Sequence, residues 1–224
     1  KYRAGEVSDA KINEIEGKLA TTAGSCAVMG TASTMACITE VLGMSLPGSA
    51  AIPAVHADRL RLAEACGERA MEMAVSGAPL PHEIITPKSV ENALRVLLAI
   101  SGSTNAVVHL AAIAGRRGID LPLEHINRIS DETPVLVNLK PTGEHYMQDL
   151  FGAGGLTAVL HELKHQLHLD CLTVTGETLG QWLSETPKWV DRKVVRAFDD
   201  PYQKEGGLIA LFGTLAPTGA ILKR

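Results

Sequence analysis

Apolar residues recur three and four apart along most of this chain, and Gly, Pro and Ser cut the recurrence into segments. DAKINEIEGKLA sets Ile12, Ile15 and Leu19 on one stripe behind Ser8, whose hydroxyl can cap the first turn. AVMGTASTMACITEVLG predicts a second helix, with Met35, Ile38 and Leu42 at helical spacing and Gly43 just past its end. SLPGSAAIPA, with two prolines, reads as a loop. HADRLRLAEACGERAMEMAVSG then predicts a long amphipathic helix closing near Gly77. APLPHEIITP is a linker or short extended segment. Beyond it, Thr86 and Pro87 place an N-cap and a first-turn proline before KSVENALRVLLAIS. GSTNAVVHLAAIAGRRG predicts a helix entered through Gly102 and Ser103 and stopped by Gly118.

The second half mixes periods. TPVLVNL is the best early strand, and HYMQDLFGAGGLTAVLHELKHQL reads as helix, Gly-Gly break, helix. DCLTVTG is a short strand candidate followed by a helix from Thr178, and GLIALFGTLAP and GAILKR read as two strands. Helix and short strand alternate, which predicts an α/β fold: layered α/β/α with parallel strands and many helices.

Composition narrows the function. The 224 residues carry a net charge of −4 with both signs interspersed, and no basic stripe, so a nucleic-acid partner is not expected. No apolar run reaches the ~20 residues of a membrane span, and no signal peptide opens the chain, so no membrane partner is expected. Four cysteines without a tight framework read as reduced and cytoplasmic. The start without Met and the stop after an apolar run suggest a piece of a longer polypeptide. Aromatics are scarce, while the abundant Gly and Ala suit close packing of helices.

Cys26 stands out because AGSC places flexible backbone just before the expected second helix. A helix N-terminus favours thiolate, which can act as nucleophile or metal ligand. The small residues Ala27, Gly30, Ala32 and Ser33 would let a bulky group approach. A buried structural cysteine remains the alternative. Cys26 and Cys37 on one helix would stand about 16 Å apart, too far to share an ion. Cys37 and Cys66 fall in apolar helical patterns and read as core, and Cys171 as a buried strand residue. Ser103, Thr104 and Asn105 open a helix whose start could bind a carboxylate or phosphate, although ordinary capping explains them equally. His109 reads as a core histidine. His161 and His165 have the spacing of a zinc pair but no carboxylate motif, so with His168 they read as solvated helix surface.

GSCAVMGTASTM followed by EVLGMSLPGSAAIPA resembles the iron–sulfur dehydratases, a family containing dihydroxy-acid, 6-phosphogluconate and sugar-acid (aldonate) dehydratases. SGSTNAVVHLAAIA, RISDETPVLVNLKPTGEHYMQDLFGAGGLTAVL and EGGLIALFGTLAPTGAILK follow in family order, so the resemblance spans nearly the whole chain. SCAVMGTASTM looks most like the sugar-acid branch.

The resemblance implies an N-terminal α/β region bearing an iron–sulfur cluster (2Fe-2S or 4Fe-4S) on three cysteines, a nearby Mg2+, and a β-rich C-terminal domain with a proton-abstracting serine. It implies dehydration of a 2,3-dihydroxy sugar acid to a 2-keto-3-deoxy acid by a homodimer or dimer of dimers. Cys26 matches the third cluster cysteine; the other cysteines, the Cys-Asp-Lys motif, the serine and the last magnesium ligand would lie outside this stretch. On that basis residues 1–76 form a helical segment of the cluster-bearing region, 77–199 a second α/β subdomain, and 200–224 the approach to the C-terminal domain. Two alternatives stay open: a dihydroxy-acid dehydratase of branched-chain amino-acid synthesis, and a non-catalytic anion-binding or assembly module.

Overall fold

The computed structural model describes residues 1–18, 23–186 and 188–224. Leu19, the last member of the expected first stripe, lies outside them. After a 3-10 turn at Tyr2–Ala4 come α1 (Asp9–Glu16), α2 (Thr31–Val41), α3 (Ala57–Ser76), α4 (Pro81–Ile84) and α5 (Pro87–Ala99). They are followed by α6 (Asn105–Arg116), α7 (Leu123–Glu132), α8 (Met147–Gly152), α9 (Gly155–Leu163) and α10 (Leu179–Glu185). A hairpin of β1 (Leu208–Gly213) and β2 (Ala216–Lys223) closes the series.

The caps expected at Ser8 and Thr86 are formed, and Thr178 caps the helix expected to follow it. Ser8 Oγ accepts from Lys11 N at 3.3 Å, Thr86 Oγ1 from Ser89 N at 3.2 Å, and Thr178 Oγ1 from Gln181 N at 3.2 Å. Each satisfies a first-turn N–H that has no partner within the helix. Gly43 follows α2 with φ +83°, and a Cβ there would meet the Leu172 carbonyl oxygen at 2.7 Å. Gly154, at φ +107°, separates α8 from α9 as the Gly-Gly break predicts.

Helix α5 is the centre of the core. Its Val90, Leu94, Leu97 and Leu98 are fully enclosed, and α2, α6, α7 and α9 pack around it. One apolar cluster runs from Met29 to Leu208 and takes in all five helices. The hairpin docks on α7, where Asn127 brackets Ala210: its Nδ2 donates to the carbonyl at 2.8 Å and its Oδ1 accepts from the N–H at 2.7 Å.

Several expectations are corrected. Parallel layering is not found among the described residues; β1 and β2 pair antiparallel, Leu208 opposite Lys223. TPVLVNL is extended and buried but makes only isolated bridges, because its backbone bonds go to three separate segments. Val135 N reaches Gln203 O, Leu136 N reaches Ala99 O, and Asn138 N reaches Val194 O, all at 2.9 Å. Around Cys171 there is likewise one bridge, Leu172 to Thr178, and no strand. Helix α7 was not anticipated, although Leu123, Ile126 and Ile129 have helical spacing. The second helix starts at Thr31, not at Ala27. Residues 27–29 are instead bonded outward, with Met29 N on Lys140 O at 2.9 Å and Met147 N on Ala27 O at 2.8 Å. Helix α3 forms as predicted but buries none of its residues, so Cys66 is exposed rather than core. His109 is exposed too.

Candidate functional site

Residues 23–27 pass along a cavity of about 500 Å³. Ala32, Ser33 and Ala36 of α2 form one wall, residues 50–55 another, and Arg59 of α3 with Met147 and Gln148 of α8 complete it. More than half of the wall is alanine, glycine and serine, so space is left beside the backbone. Gly24 makes one close approach possible: a Cβ there would sit 2.6 Å from Ala54 Cβ, and its φ is +104°.

Cys26 is exposed and lines this cavity. It does not head a helix. It precedes α2 by five positions, in a loop pinned by the Ala27 and Met29 backbone bonds and by Ser33 Oγ on Val28 O at 3.1 Å. The expected helix-terminus effect on its thiol therefore has no structural basis, whereas its access to an open, small-walled space does. Cys37 is fully buried within α2, and burial pushes its thiol far up. Cys171 is buried, and burial followed by the Asp170 charge pushes it up to about 11. Neither is a thiolate near neutral pH, which leaves Cys26 and the distant, exposed Cys66 as accessible sulfurs.

Glu40 shapes the cavity from behind. Its Oε1 accepts from Gly48 N at 2.9 Å, and its Oε2 from Ala50 N at 2.7 Å and Ser49 Oγ at 3.2 Å. The carboxylate thus holds the turn that leads into the wall at Ala50 and Ala51. Burial raises the Glu40 carboxyl above the usual range, against the lowering effect of these bonds. Arg59 is half-buried, and its Nη2 donates to the Ile52 carbonyl. It is the one charged side chain among the described lining residues. Sequence reasoning missed both. Glu40 leaves a trace as a lone acid in an apolar helix ahead of a Pro-Gly turn, but Arg59 is lost among the charges of α3.

Ser103, Thr104 and Asn105 stand at the start of α6; Ser103 and Asn105 bond to the start of α2, while the Thr104 side chain makes no capping bond. Ser103 N donates to Thr34 Oγ1 at 3.0 Å, Ser103 Oγ meets Thr31 Oγ1 at 2.8 Å, and Asn105 Nδ2 donates to Thr31 Oγ1 at 3.1 Å. Ser103 Oγ also accepts from Asn105 N at 3.2 Å, so bonding within the turn and between helices engages Ser103 and Asn105. At about 100° per residue, Thr31 and Thr34 lie on the face of α2 opposite Ala32, Ser33 and Ala36. The cluster and Cys26 are therefore not one site.

The histidines do not form a zinc pair. His161 Nε2 is 2.8 Å from Thr186 Oγ1, His165 packs edge-on against Phe198, and His168 faces Glu91 at 3.5 Å. Among the described residues no three His, Cys, Asp or Glu side chains gather as a ligand set. An exposed sulfur beside open space fits one corner of an iron–sulfur group, which prefers thiolate. Magnesium does not fit this wall, since no carboxylate lines it among the described residues and the ion requires hard oxygen ligands.

The chain matches the family described as dihydroxy-acid/6-phosphogluconate dehydratase N-terminal over residues 1–182. A dihydroxy-acid dehydratase of Acetivibrio thermocellus is 47% identical over 225 residues, which is 100% of this chain and 40% of that protein. Those of Caldanaerobacter subterraneus subsp. tengcongensis and Methanococcoides burtonii are 46% and 45% identical, each over 99% of this chain and 40% of the relative. The chain spans about two fifths of the length of these relatives. Their names agree with the family that the motifs suggest and give no support to the sugar-acid branch. No helix of the described residues is long and apolar enough to cross a membrane.

Proposed function

The chain belongs to the dihydroxy-acid/6-phosphogluconate dehydratase family, and from that premise we propose that the intact protein is a hydro-lyase acting on a 2,3-dihydroxy carboxylic acid. The observation that carries the reading is Cys26, an exposed thiol on the wall of a 500 Å³ cavity built from small side chains. In the reaction a proton leaves C2, the hydroxyl leaves C3 as water, and the resulting enol becomes the 2-keto acid. Hydroxyl is a poor leaving group; an iron–sulfur cluster, when bound, supplies Lewis acidity for its departure.

This chain's residues hold and shape. Cys26 would give the cluster one thiolate. The alanines of α2 and of residues 50–55 leave room for cluster and substrate together. Glu40 fixes the turn that carries part of that wall, and Arg59 offers the substrate carboxylate a cation. No step is assigned to magnesium, whose ligands are not among the lining residues. The names of the relatives support a branched dihydroxy acid, the substrate class of amino-acid synthesis, over a sugar acid. A cytoplasmic homo-oligomer belongs to the same proposal, supported by the exposed Ala63, Gly67, Ala70 and Ala74 along α3.

The test is a 2-keto-acid assay of the intact protein, purified without oxygen, on a branched 2,3-dihydroxy acid and on a panel of linear aldonates. Turnover of the branched acid is expected. Turnover of aldonates alone would restore the sugar-acid reading, and turnover of neither would remove the enzyme reading.

A further inference from the structure

A second recess, of about 220 Å³, lies away from Cys26 between α9 and the segment after α10. Its wall comprises Ala158, His161, Glu162 and Lys164 on one side and Lys188, Trp189, Val190 and Arg192 on the other. Charge is unevenly matched there. Arg192 Nη2 pairs with Glu162 Oε1 at 2.8 Å, and Glu162 Oε2 accepts from Phe198 N at 3.2 Å, so both oxygens of this carboxylate are engaged. Lys164 and Lys188 have no carboxylate partner among the described residues, which leaves two positive charges unmatched in the wall. His161 adds none near neutral pH: burial, then Lys164 and Lys188, lowers its pKa, and it shares its Nε2 with Thr186.

We propose that this recess binds a small phosphate-class dianion, held by Lys164, Lys188 and the free edge of the Arg192 guanidinium. Phosphate suits this set because two ammonium groups and a fork supply donors from several directions, and its charge matches the unpaired excess. The space equals that of about seven waters, which suits phosphate or a short phosphorylated molecule. Trp189, Val190 and Ala158 supply an apolar side to the recess. Trp189 is anchored through Nε1 to the Gly152 carbonyl at 3.2 Å, beside the Gly-Gly break, so an anion here touches the joint between α8 and α9. Met147 and Gln148, at the start of α8, line the Cys26 cavity, which gives the recess a covalently continuous path to it.

The experiment is calorimetric titration of the intact protein with inorganic phosphate at constant ionic strength, with malonate and chloride as separate arms. One phosphate per chain is expected, weakened at least tenfold in the Lys164→Gln/Lys188→Gln double variant at an unchanged thermal midpoint. Trp189→Phe should bind phosphate but lose the accompanying tryptophan fluorescence change. Absence of phosphate binding, wild-type binding by the double variant, or malonate binding as tight as phosphate would each overturn the proposal. If the double variant shifts the midpoint, the single variant Lys188→Gln, at an exposed position, decides by the same criterion.

Discussion

Helices α5 and α3 are both amphipathic in sequence, yet they live in opposite surroundings. The 13-residue α5 is packed by four other helices, with Leu94, Leu97 and Leu98 at zero exposure. The 20-residue α3 has no fully buried residue: Leu62, Ala65 and Met73 are half-buried, while Leu60 is 78% and Val75 82% exposed. It is tied down by polar contacts along one edge, such as Arg69 Nε on the Val174 carbonyl at 2.5 Å and Arg59 on Ile52. Periodicity therefore specifies that a helix forms and which stripe is apolar, but not whether a partner covers that stripe. The Cys26 cavity sits on the α3 side of the molecule, where open surface is plentiful.

The contrast has measurable consequences. Leu97→Ala should destabilise the protein most, by about 2–5 kcal/mol, because it leaves a cavity in a core that cannot collapse around it. A denaturant midpoint for the variant checks this. Gly43→Ala comes next, at about 1–3 kcal/mol, since the position combines a left-handed φ with a carbonyl 2.7 Å from the new Cβ; the same unfolding series measures it.

Glu40 should show up in the pH dependence of stability. Its folded carboxyl is raised, so the folded state holds this proton more tightly than the unfolded chain does. The associated stability is fully present below the ordinary carboxylate range and is lost as pH rises through the raised value. Thermal midpoints across that range should fall less steeply for Glu40→Gln than for the parent. Identical slopes would mean that the carboxyl does not titrate there. The smallest effect is expected on α3: Leu60→Ser should stay within about 0.5 kcal/mol. A loss of several kcal/mol in the intact protein would show that something covers this helix.

Local chemistry was the legible part of the fold. Caps at Ser8, Thr86 and Thr178, the stop at Gly43 and the break at Gly154 depend on residues adjacent in sequence, and all appear where the sequence puts them. The closing hairpin was also readable. What could not be read depends on distant segments. TPVLVNL has a strand's composition, but its backbone partners lie near residues 99, 194 and 203, so no ladder forms. The same holds at the site. Cys26 was visible because of its unusual neighbours, but its loop setting is fixed by Lys140 and Met147, more than a hundred residues away. Arg59 joins the cavity through its bond to the Ile52 carbonyl, just past the turn at residues 48–50 that Glu40 holds.

The most direct test replaces the Cys26 sulfur. In the intact protein purified without oxygen, Cys26→Ser should lose the visible charge-transfer absorbance and most of its iron, with dehydration falling in parallel and the unfolding midpoint near that of the parent. Undiminished iron, absorbance and turnover in that variant would contradict the assignment of this thiol to an iron–sulfur cluster.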